Sequence, residues 1–542
     1  MKIRRLKTLR ICIAMVFFVP TAFLFLDIWE IGAKTFSDHL LFFQFVPSAL
    51  NFLNQPAVGA AGFIVVLITA FVFGRVYCSA ICPLGIFQDL ISRFFSNREK
   101  SRGEKKRSGR YKYSAPRNIL RYTVLIATLL LFFSGTGLLL NLLDPFSSFG
   151  RFFSNLFRPL VITLNNLGTP MAEVIGVDAF YRVQWPVYAP VSLGVALVTL
   201  VTVGWMSARH GRLYCNTLCP VGTLLGLISK FSLVKIRIDK EACRSCGRCE
   251  PLCKAGCIDV KTKTVDTDRC VSCFNCLSVC PDQAMVYQYD FQPSFQINNQ
   301  SGQKIRHRKE SVRSRRNFVL ALAAGSFGLA AARGHAAPEM LPVQARPTTI
   351  PEKKTSPLSP PGSVSIARYN AICTACHLCV SACPSRVLVP SVFSFGLSGM
   401  MQPQMDFDAG HCNYDCTVCS NICPSGAILP LTVEKKRLIQ VGVAKFIKEN
   451  CVVYTDNTNC GACSEHCPTK AVHMVPYLNA AGRKLVIPEV DANICVGCGG
   501  CEHACPTKPF RAIYVDGNIE HKTARKPKEK KMEKDTADDF PF

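Results

Sequence analysis

Cysteine spacing carries the clearest chemistry in this chain. Cys243, Cys246, Cys249 and Cys253 form C-x2-C-x2-C-x3-C, and Cys270, Cys273, Cys276 and Cys280 repeat the pattern, with Pro281 after the last. This is the ligand spacing of two-cluster bacterial ferredoxins. Three thiolates on one short loop can bind three corners of an iron–sulfur cubane. The fourth Cys lies on the next helical turn and reaches across to the other cluster. One [4Fe-4S] cluster is therefore expected on Cys243, Cys246, Cys249 and Cys280, and another on Cys270, Cys273, Cys276 and Cys253. Lys254 stands where Pro usually follows the fourth Cys, and Cys257 is an alternative to Cys253. Zinc would take two separated pairs rather than three thiols in one loop.

Four more motifs follow. Cys373, Cys376, Cys379 and Cys383 precede Pro384; Cys412, Cys416, Cys419 and Cys423 precede Pro424; Cys451, Cys460, Cys463 and Cys467 precede Pro468; Cys495, Cys498, Cys501 and Cys505 precede Pro506. The middle two have stretched first gaps. These 16 ligands imply four clusters, giving six [4Fe-4S] clusters on 24 cysteines in all. The run "CTACH" from Cys373 to His377 also fits a C-x-x-C-H haem attachment signature, but Cys379 and Cys383 complete a ferredoxin motif in the same loop.

A different thiol pair occurs twice. "GRVYCSAICPLGIFQDLISRF" from Gly74 and "GRLYCNTLCPVGTLLGLISKF" from Gly211 are identical at 11 of 21 positions, and both keep C-x3-C-P. The thiols are Cys78 and Cys82 in one copy and Cys215 and Cys219 in the other. Cysteines four apart share a helix face or meet in a tight turn. Two such pairs, joined by an internal twofold, could hold a metal, form a redox dithiol or border a quinone pocket. As small apolar residues they could also simply pack at a helix end, as Cys12 is expected to do within its apolar block.

These groups need elements to position them. The chain has 542 residues, and only five of its 30 Cys precede Lys235. Four apolar segments fill that first part, at 11–29, 57–74, 122–143 and 185–208. Each approaches the ~20 residues a membrane-crossing helix needs. Lys plus Arg number 63 against 37 Asp plus Glu, a net charge of +26. The excess gathers beside the apolar blocks, as in "MKIRRLKTLR" and "KIRHRKESVRSRR". That placement marks cytoplasmic loops rather than a nucleic-acid face, and no nucleic-acid partner is expected. Both ends of the membrane unit then face the cytoplasm.

The stretch "SVRSRRNFVLALAAGSFGLAAARGHAAP" from Ser311 fits a twin-arginine leader, with Arg315 and Arg316 as the recognition pair. Its apolar run, 318–332, is short for a stable span. It either stays as a fifth crossing or is cut near Ala336 or Ala337. A domain whose clusters are built in the cytoplasm must cross folded, which the twin-arginine route permits. The expected architecture is a polytopic α-helical membrane unit of four spans, or five, plus two α+β ferredoxin-like regions. The expected divisions are 1–235 for the membrane unit and 236–300 for a two-cluster cytoplasmic region. Residues 301–336 hold the basic segment and signal, and 337–364 a Pro-rich linker. A four-cluster periplasmic region at 365–518 and a charged disordered tail at 519–542 complete the chain. The protein is placed in a bacterial inner membrane.

Taken together, residues 1 to about 300 resemble the NapH/MauN-type membrane ferredoxins. Residues 311 to about 515 resemble the NapG/MauM type, which has a twin-arginine leader and four [4Fe-4S] motifs. The resemblance implies a fusion of two components of a quinol dehydrogenase, an oxidoreductase part or else a pure electron carrier. It would relay electrons from the quinol pool to a periplasmic reductase or cytochrome c acceptor. Its partners would be membrane lipid, quinone and the twin-arginine export machinery. In related four-cluster ferredoxins the first motif pairs with the last and the second with the third. That pairing implies Cys373, Cys376 and Cys379 with Cys505; Cys495, Cys498 and Cys501 with Cys383; Cys412, Cys416 and Cys419 with Cys467; and Cys451, Cys460 and Cys463 with Cys423. NosR-like and CcoG-like membrane proteins share the C-x3-C-P and ferredoxin parts. They imply the rival role, redox sensing or maturation of a metalloenzyme.

Overall fold

The computed structural model describes residues 2–27, 37–56, 61–101, 111–175, 181–183, 185, 190–289, 350–479 and 482–526. The twin-arginine stretch at 311–336, with Arg315 and Arg316, lies outside them, as do 337–349 and 527–542.

The N-terminal part is helical. Helix α1 spans Lys2–Leu26. Helices α2 (Gly62–Phe73), α3 (Val76–Ala80) and α4 (Pro83–Ser101) form the first repeat. Helix α5 (Asn118–Phe133) follows. Helix α6 (Pro145–Phe152) starts at an Asp144 cap whose carboxylate accepts from the Ser147 N–H at 2.8 Å, with Pro145 at the first helical position. A π-helical turn, Phe153–Phe157, leads into a helix at Arg158–Ile175. The second repeat is α7 (Pro190–His210), α8 (Leu213–Thr217) and α9 (Pro220–Ser229). The repeats exchange partners: α4 packs on α7, and α9 packs on α2 and α5. This crossing brings α3, with Cys78, near α8, with Cys215: Arg75 donates to the Cys215 carbonyl and Arg212 to the Cys78 carbonyl.

Among the described residues, two helices are long and apolar enough to cross a membrane, Arg5–Leu26 and Pro190–His210. Only 22% and 28% of their apolar windows are buried in the molecule, unlike a helix at the core of a soluble domain. The other two expected spans are shorter helices. Gly74, left-handed at φ 75°, closes α2. The segment expected at 122–143 is broken, because α5 ends before Gly135 (φ 83°) and a separate short α-helix occupies Leu138–Leu143.

The first ferredoxin region is built on an outer antiparallel pair, Val234–Ile238 with Met285–Tyr289, and a short inner pair, Ile258–Asp259 with Thr264–Val265. The second region has three two-stranded antiparallel sheets: Leu388–Pro390 with Pro403–Met405, Val472–Leu478 with Lys484–Val490, and Ile439–Phe446 with Ile513–Thr523. Two boundaries differ from expectation. The described part of the expected linker, from residue 350 to 364, is packed rather than extended: the Thr355 N–H donates to Asp516 at 2.7 Å, and Leu358 and Ser363 are buried. The strand reaching Thr523 also takes the first residues of the expected tail, because its backbone pairs with Ile439 and Gln440.

The two regions sit at opposite ends of the helical unit. Leu6 of α1 packs into the core of the first region, while the far end of α1 touches the Leu378–Ala382 helix of the second. At 1.5 Å per residue the two contacts are roughly 30 Å apart along α1.

Candidate iron–sulfur sites

The four motifs with short gaps share one backbone pattern. The residues two and four places after the first Cys are left-handed: Ser245 (φ 56°) and Gly247 (73°), Ser272 (48°) and Phe274 (60°), Ala375 (51°) and His377 (64°), Gly497 (74°) and Gly499 (79°). Five of these are not glycine, and such conformations persist only where surroundings impose them. Alternating handedness turns successive N–H groups into one concavity, a nest suited to an anion. A [4Fe-4S] core with four thiolates is an anion, so donor set and loop fit the group. The stretched motifs lack the alternation; between Cys412 and Cys419 no residue is left-handed, and between Cys451 and Cys463 only Asn457 is.

A second signature follows the fourth Cys. Three residues on, Gly256, Gln283, Arg386, Gly426 and Lys470 are left-handed. Gly256 thus sets Cys253, rather than Cys257, in the fourth-ligand position. The two Sγ atoms are 3.4 Å apart. The contact with Cys257 brings the Cys253 pKa down to about 7 despite burial.

The structure brings the first two motifs together as their spacing suggests. Cys243, Cys246, Cys249 and Cys280 line one cavity. Cys253, Cys257, Cys270, Cys273 and Cys276 line another.

In the second region the grouping differs from the one the resemblance implies. Cys505 joins Cys451, Cys460 and Cys463 around one cavity, not Cys373, Cys376 and Cys379. Cys423 is the thiol whose charge acts on Cys373, Cys376 and Cys379. Likewise Cys383 acts on Cys412 and Cys419, and Cys467 on Cys495, Cys498 and Cys501. Each motif therefore exchanges its last Cys with its sequence neighbour. The cause is the strand pairing: one hairpin, Leu388–Pro390 with Pro403–Met405, folds the second motif of its pair back on the first. The hairpin Val472–Leu478 with Lys484–Val490 does the same for the other pair.

His377, the residue that raised the haem alternative, is committed elsewhere. Its Nε2 donates to the Met401 carbonyl at 2.9 Å, and its Nδ1 accepts from Asn155 Nδ2 at 3.1 Å. Burial lowers its pKa to about 3, so the ring is neutral. Neither nitrogen remains for a haem iron.

Comparison with known families agrees with this geometry. A 4Fe-4S dicluster domain family matches residues 372–427 and 458–508. The first match encloses the first neighbouring pair of motifs, and the second holds the other pair apart from Cys451. The chain carries ferredoxin-type iron–sulfur domains. A further family, described as a 4Fe-4S binding domain, matches the two repeats at 55–102 and 192–239. Among relatives of this ferredoxin-type chain, the methylamine utilization ferredoxin-type protein MauM of Methylophilus methylotrophus is 34% identical over 27% of the chain and 65% of its own length. The ferredoxin-type protein NapH of Haemophilus influenzae is 24% identical over 50% of the chain and 79% of its own. The ferredoxin-type protein NapG of Escherichia coli is 29% identical over 26% and 62%. The chain thus covers less than two thirds of MauM and NapG. No solved structure matches it.

The C-x3-C-P thiols form a separate group. Cys78, Cys82, Cys215 and Cys219 are all buried between the two repeats. Two arginines that the sequence reading passed over complete the group. Arg75 Nη2 is 3.8 Å from Cys78 Sγ, and Arg212 Nη1 is 3.9 Å from Cys215 Sγ. Their signal was the Gly-Arg pair that opens both copies of the repeat.

Proposed function

We propose that the chain is a membrane-bound electron carrier, a quinol dehydrogenase component that relays electrons from the quinol pool to a periplasmic reductase or cytochrome. The observation that carries this reading is the placement of two ferredoxin regions at opposite ends of one helical unit. The sides of that unit support a lipid setting. Val16, Val19, Ile68, Ile126, Leu130, Val201 and Trp205 leave apolar surface exposed along α1, α2, α5 and α7. So broad an apolar belt suits lipid or a partner, not water. On this reading α2 and α5 cross with the two longer helices, giving four spans, and the Arg-rich flanks keep the first region cytoplasmic. Arg315 and Arg316 direct the second region outward.

When bound, [4Fe-4S] clusters exchange single electrons. The chain's own residues hold them, through the 24 ferredoxin cysteines, and limit access of water, since every one of those thiols but Cys246 is buried or partly buried. Quinol oxidation releases two electrons and two protons, so each turnover fills two one-electron acceptors and returns the protons to solvent. The names of the relatives, NapH, NapG and MauM ferredoxin-type proteins, favour a carrier over a regulator. Purified full-length protein with reconstituted clusters should be bleached by a menaquinol or ubiquinol analogue. Absence of bleaching with both, while dithionite still bleaches, overturns the quinol assignment. Tags at both ends, read by immunoblot, test the fusion: one full-length band in membranes is expected.

A further inference from the structure

We propose that Cys78, Cys82, Cys215 and Cys219 together hold one further iron–sulfur centre, shared across the internal twofold, which links the two ferredoxin regions. It deepens the electron-carrier reading above. The family description for each repeat is 4Fe-4S binding, yet each matched stretch contains only two Cys, Cys78 and Cys82 or Cys215 and Cys219. Neither repeat can supply four thiolates alone. The structure joins them. The charge of Cys215 acts on Cys82, and those of Cys215, Cys82 and Cys78 all act on Cys219.

The surroundings are those of an anion site, built twice. Arg75 of the first repeat donates to the Cys215 carbonyl of the second at 3.1 Å, and Arg212 of the second donates to the Cys78 carbonyl of the first at 2.7 Å. A Cβ at Gly85 or Gly222 would strike these same carbonyls and guanidiniums, so both copies need glycine there. Cys219 caps α9, its sulfur accepting the Gly222 N–H at 3.2 Å, and Cys82 stands at the matching place before α4. Arg212 Nη2, Arg75 Nε and Gln88 Nε2 are buried without a partner. Buried donors left open beside four thiols suit an acceptor-rich anion.

Four thiolates on a [4Fe-4S]2+ core carry two negative charges; the Arg75 guanidinium faces Cys78, and Arg212, which also pairs with Asp89, lies beside Cys215.

The position explains why the chain needs it. On one side, Arg75 Nη1 donates to the Asp268 carbonyl, next to the Cys270 loop, at 3.0 Å. On the other, Tyr214 Oη donates to Leu143 O at 2.9 Å, while Arg151 donates to Leu142 O at 3.1 Å. Arg151 lies in α6 beside Gly150, which touches the Cys376 loop. The four thiols therefore stand between the two regions. Electron tunnelling falls steeply with distance, so a single hop along the helical unit would be slow. The centre would take one electron from a reduced cluster on one side and give one electron to an oxidised cluster on the other, returning unchanged.

The test uses the full-length chain, purified anaerobically in detergent. Iron, acid-labile sulfide and the components of an electron paramagnetic resonance redox titration are measured. The double variants C78S/C82S and C215S/C219S should each lose about four iron and four sulfide per chain. Both should lose the same single redox component, and the fourfold variant should lose no more. Unchanged iron in the double variants, half losses that add, or four freely titrating thiols in the unaltered protein would each overturn the proposal. Arg75→Gln guards against misfolding: with iron unchanged, one component should move to lower potential while the others stay. No component moving overturns it too. Because dithionite serves as reductant throughout, these outcomes are independent of whether quinol is the donor.

Discussion

The two ferredoxin regions are attached to the same helical unit by opposite means. The first is held by charge. Arg121 of α5, fully buried, pairs with Asp268 at 2.8 Å. Asp89 of α4 lies between Arg212 at 3.0 Å, Lys254 at 3.2 Å and Arg10 at 3.2 Å. Burial raises the Asp89 pKa, but these three cations more than offset it and hold the carboxyl well below its usual range. The second region is held by neutral groups. Ser154 Oγ meets Ser381 Oγ at 2.8 Å, Asn155 meets His377, and Gly150 admits the Cys376 carbonyl against the Phe25 ring. The first region continues directly from α9 and folds beside the charges that receive it. The second, reached through a long segment at 290–349, finds its place by shape and hydrogen bonds. If it is exported already folded, a neutral docking face avoids carrying unpaired buried charge across the membrane.

The largest effect expected from breaking this contrast is at the ionic end. Asp268→Asn leaves the Arg121 guanidinium buried without its counter-charge, and loss of one partner of such a pair costs about 3–5 kcal/mol. Hydrogen exchange in detergent should show residues 264–272 opening far more readily, with the second region unchanged. The matching test at the neutral end is Gly150→Val. Its side chain would overlap the Cys376 carbonyl and the Phe25 ring, and overpacking of this kind costs about 1–3 kcal/mol. Faster proteolysis of residues 373–383 is expected, with the Asp268 contact intact. If either change loosened both ends equally, the two attachments would not be separate.

The chemistry was far more legible in the sequence than the assembly. Cys243 to Cys280 and Cys373 to Cys505 declare themselves because cubane ligation fixes local spacing, whatever surrounds it. Which last Cys serves which loop is not local. Cys505 reaches Cys451 because the Val472–Leu478 hairpin turns the chain back, and nothing in a C-x-x-C spacing encodes that turn. The Pro-rich composition of 350–364 reads as a spacer, yet Asp516 and the strand to Thr523 give its backbone partners. The apolar block at 122–143 reads as one helix because hydropathy does not register the break at Gly135. Arg75 and Arg212 were present as a repeated Gly-Arg, but their value lies in reaching across to the other copy, which only the fold reveals.

The finest probe of the contrast is Asn155. This side chain sits in the π-helical turn, donates to Arg151 O at 2.7 Å, accepts from Ser192 Oγ at 3.1 Å and meets His377 Nδ1. It ties two helices to the loop between Cys376 and Cys379. Asn155→Ala removes one neutral hydrogen bond to His377 and should weaken docking by about 1 kcal/mol. That is smaller than the ionic loss and insensitive to salt, because no charge is involved. Asn155→Asp would instead place a carboxylate against a neutral, buried imidazole whose Nδ1 carries no proton to donate. The ring would have to exchange its proton from Nε2 and release Met401, or take up a second proton and become charged. A histidine nitrogen-15 spectrum distinguishes these: the Nε2-protonated tautomer is expected in the unaltered chain and in Asn155→Ala, and its loss in Asn155→Asp. An Asn155→Asp chain that kept the original tautomer would show that the His377 contact does not set the docking, and that shape at Gly150 alone holds the second region in place.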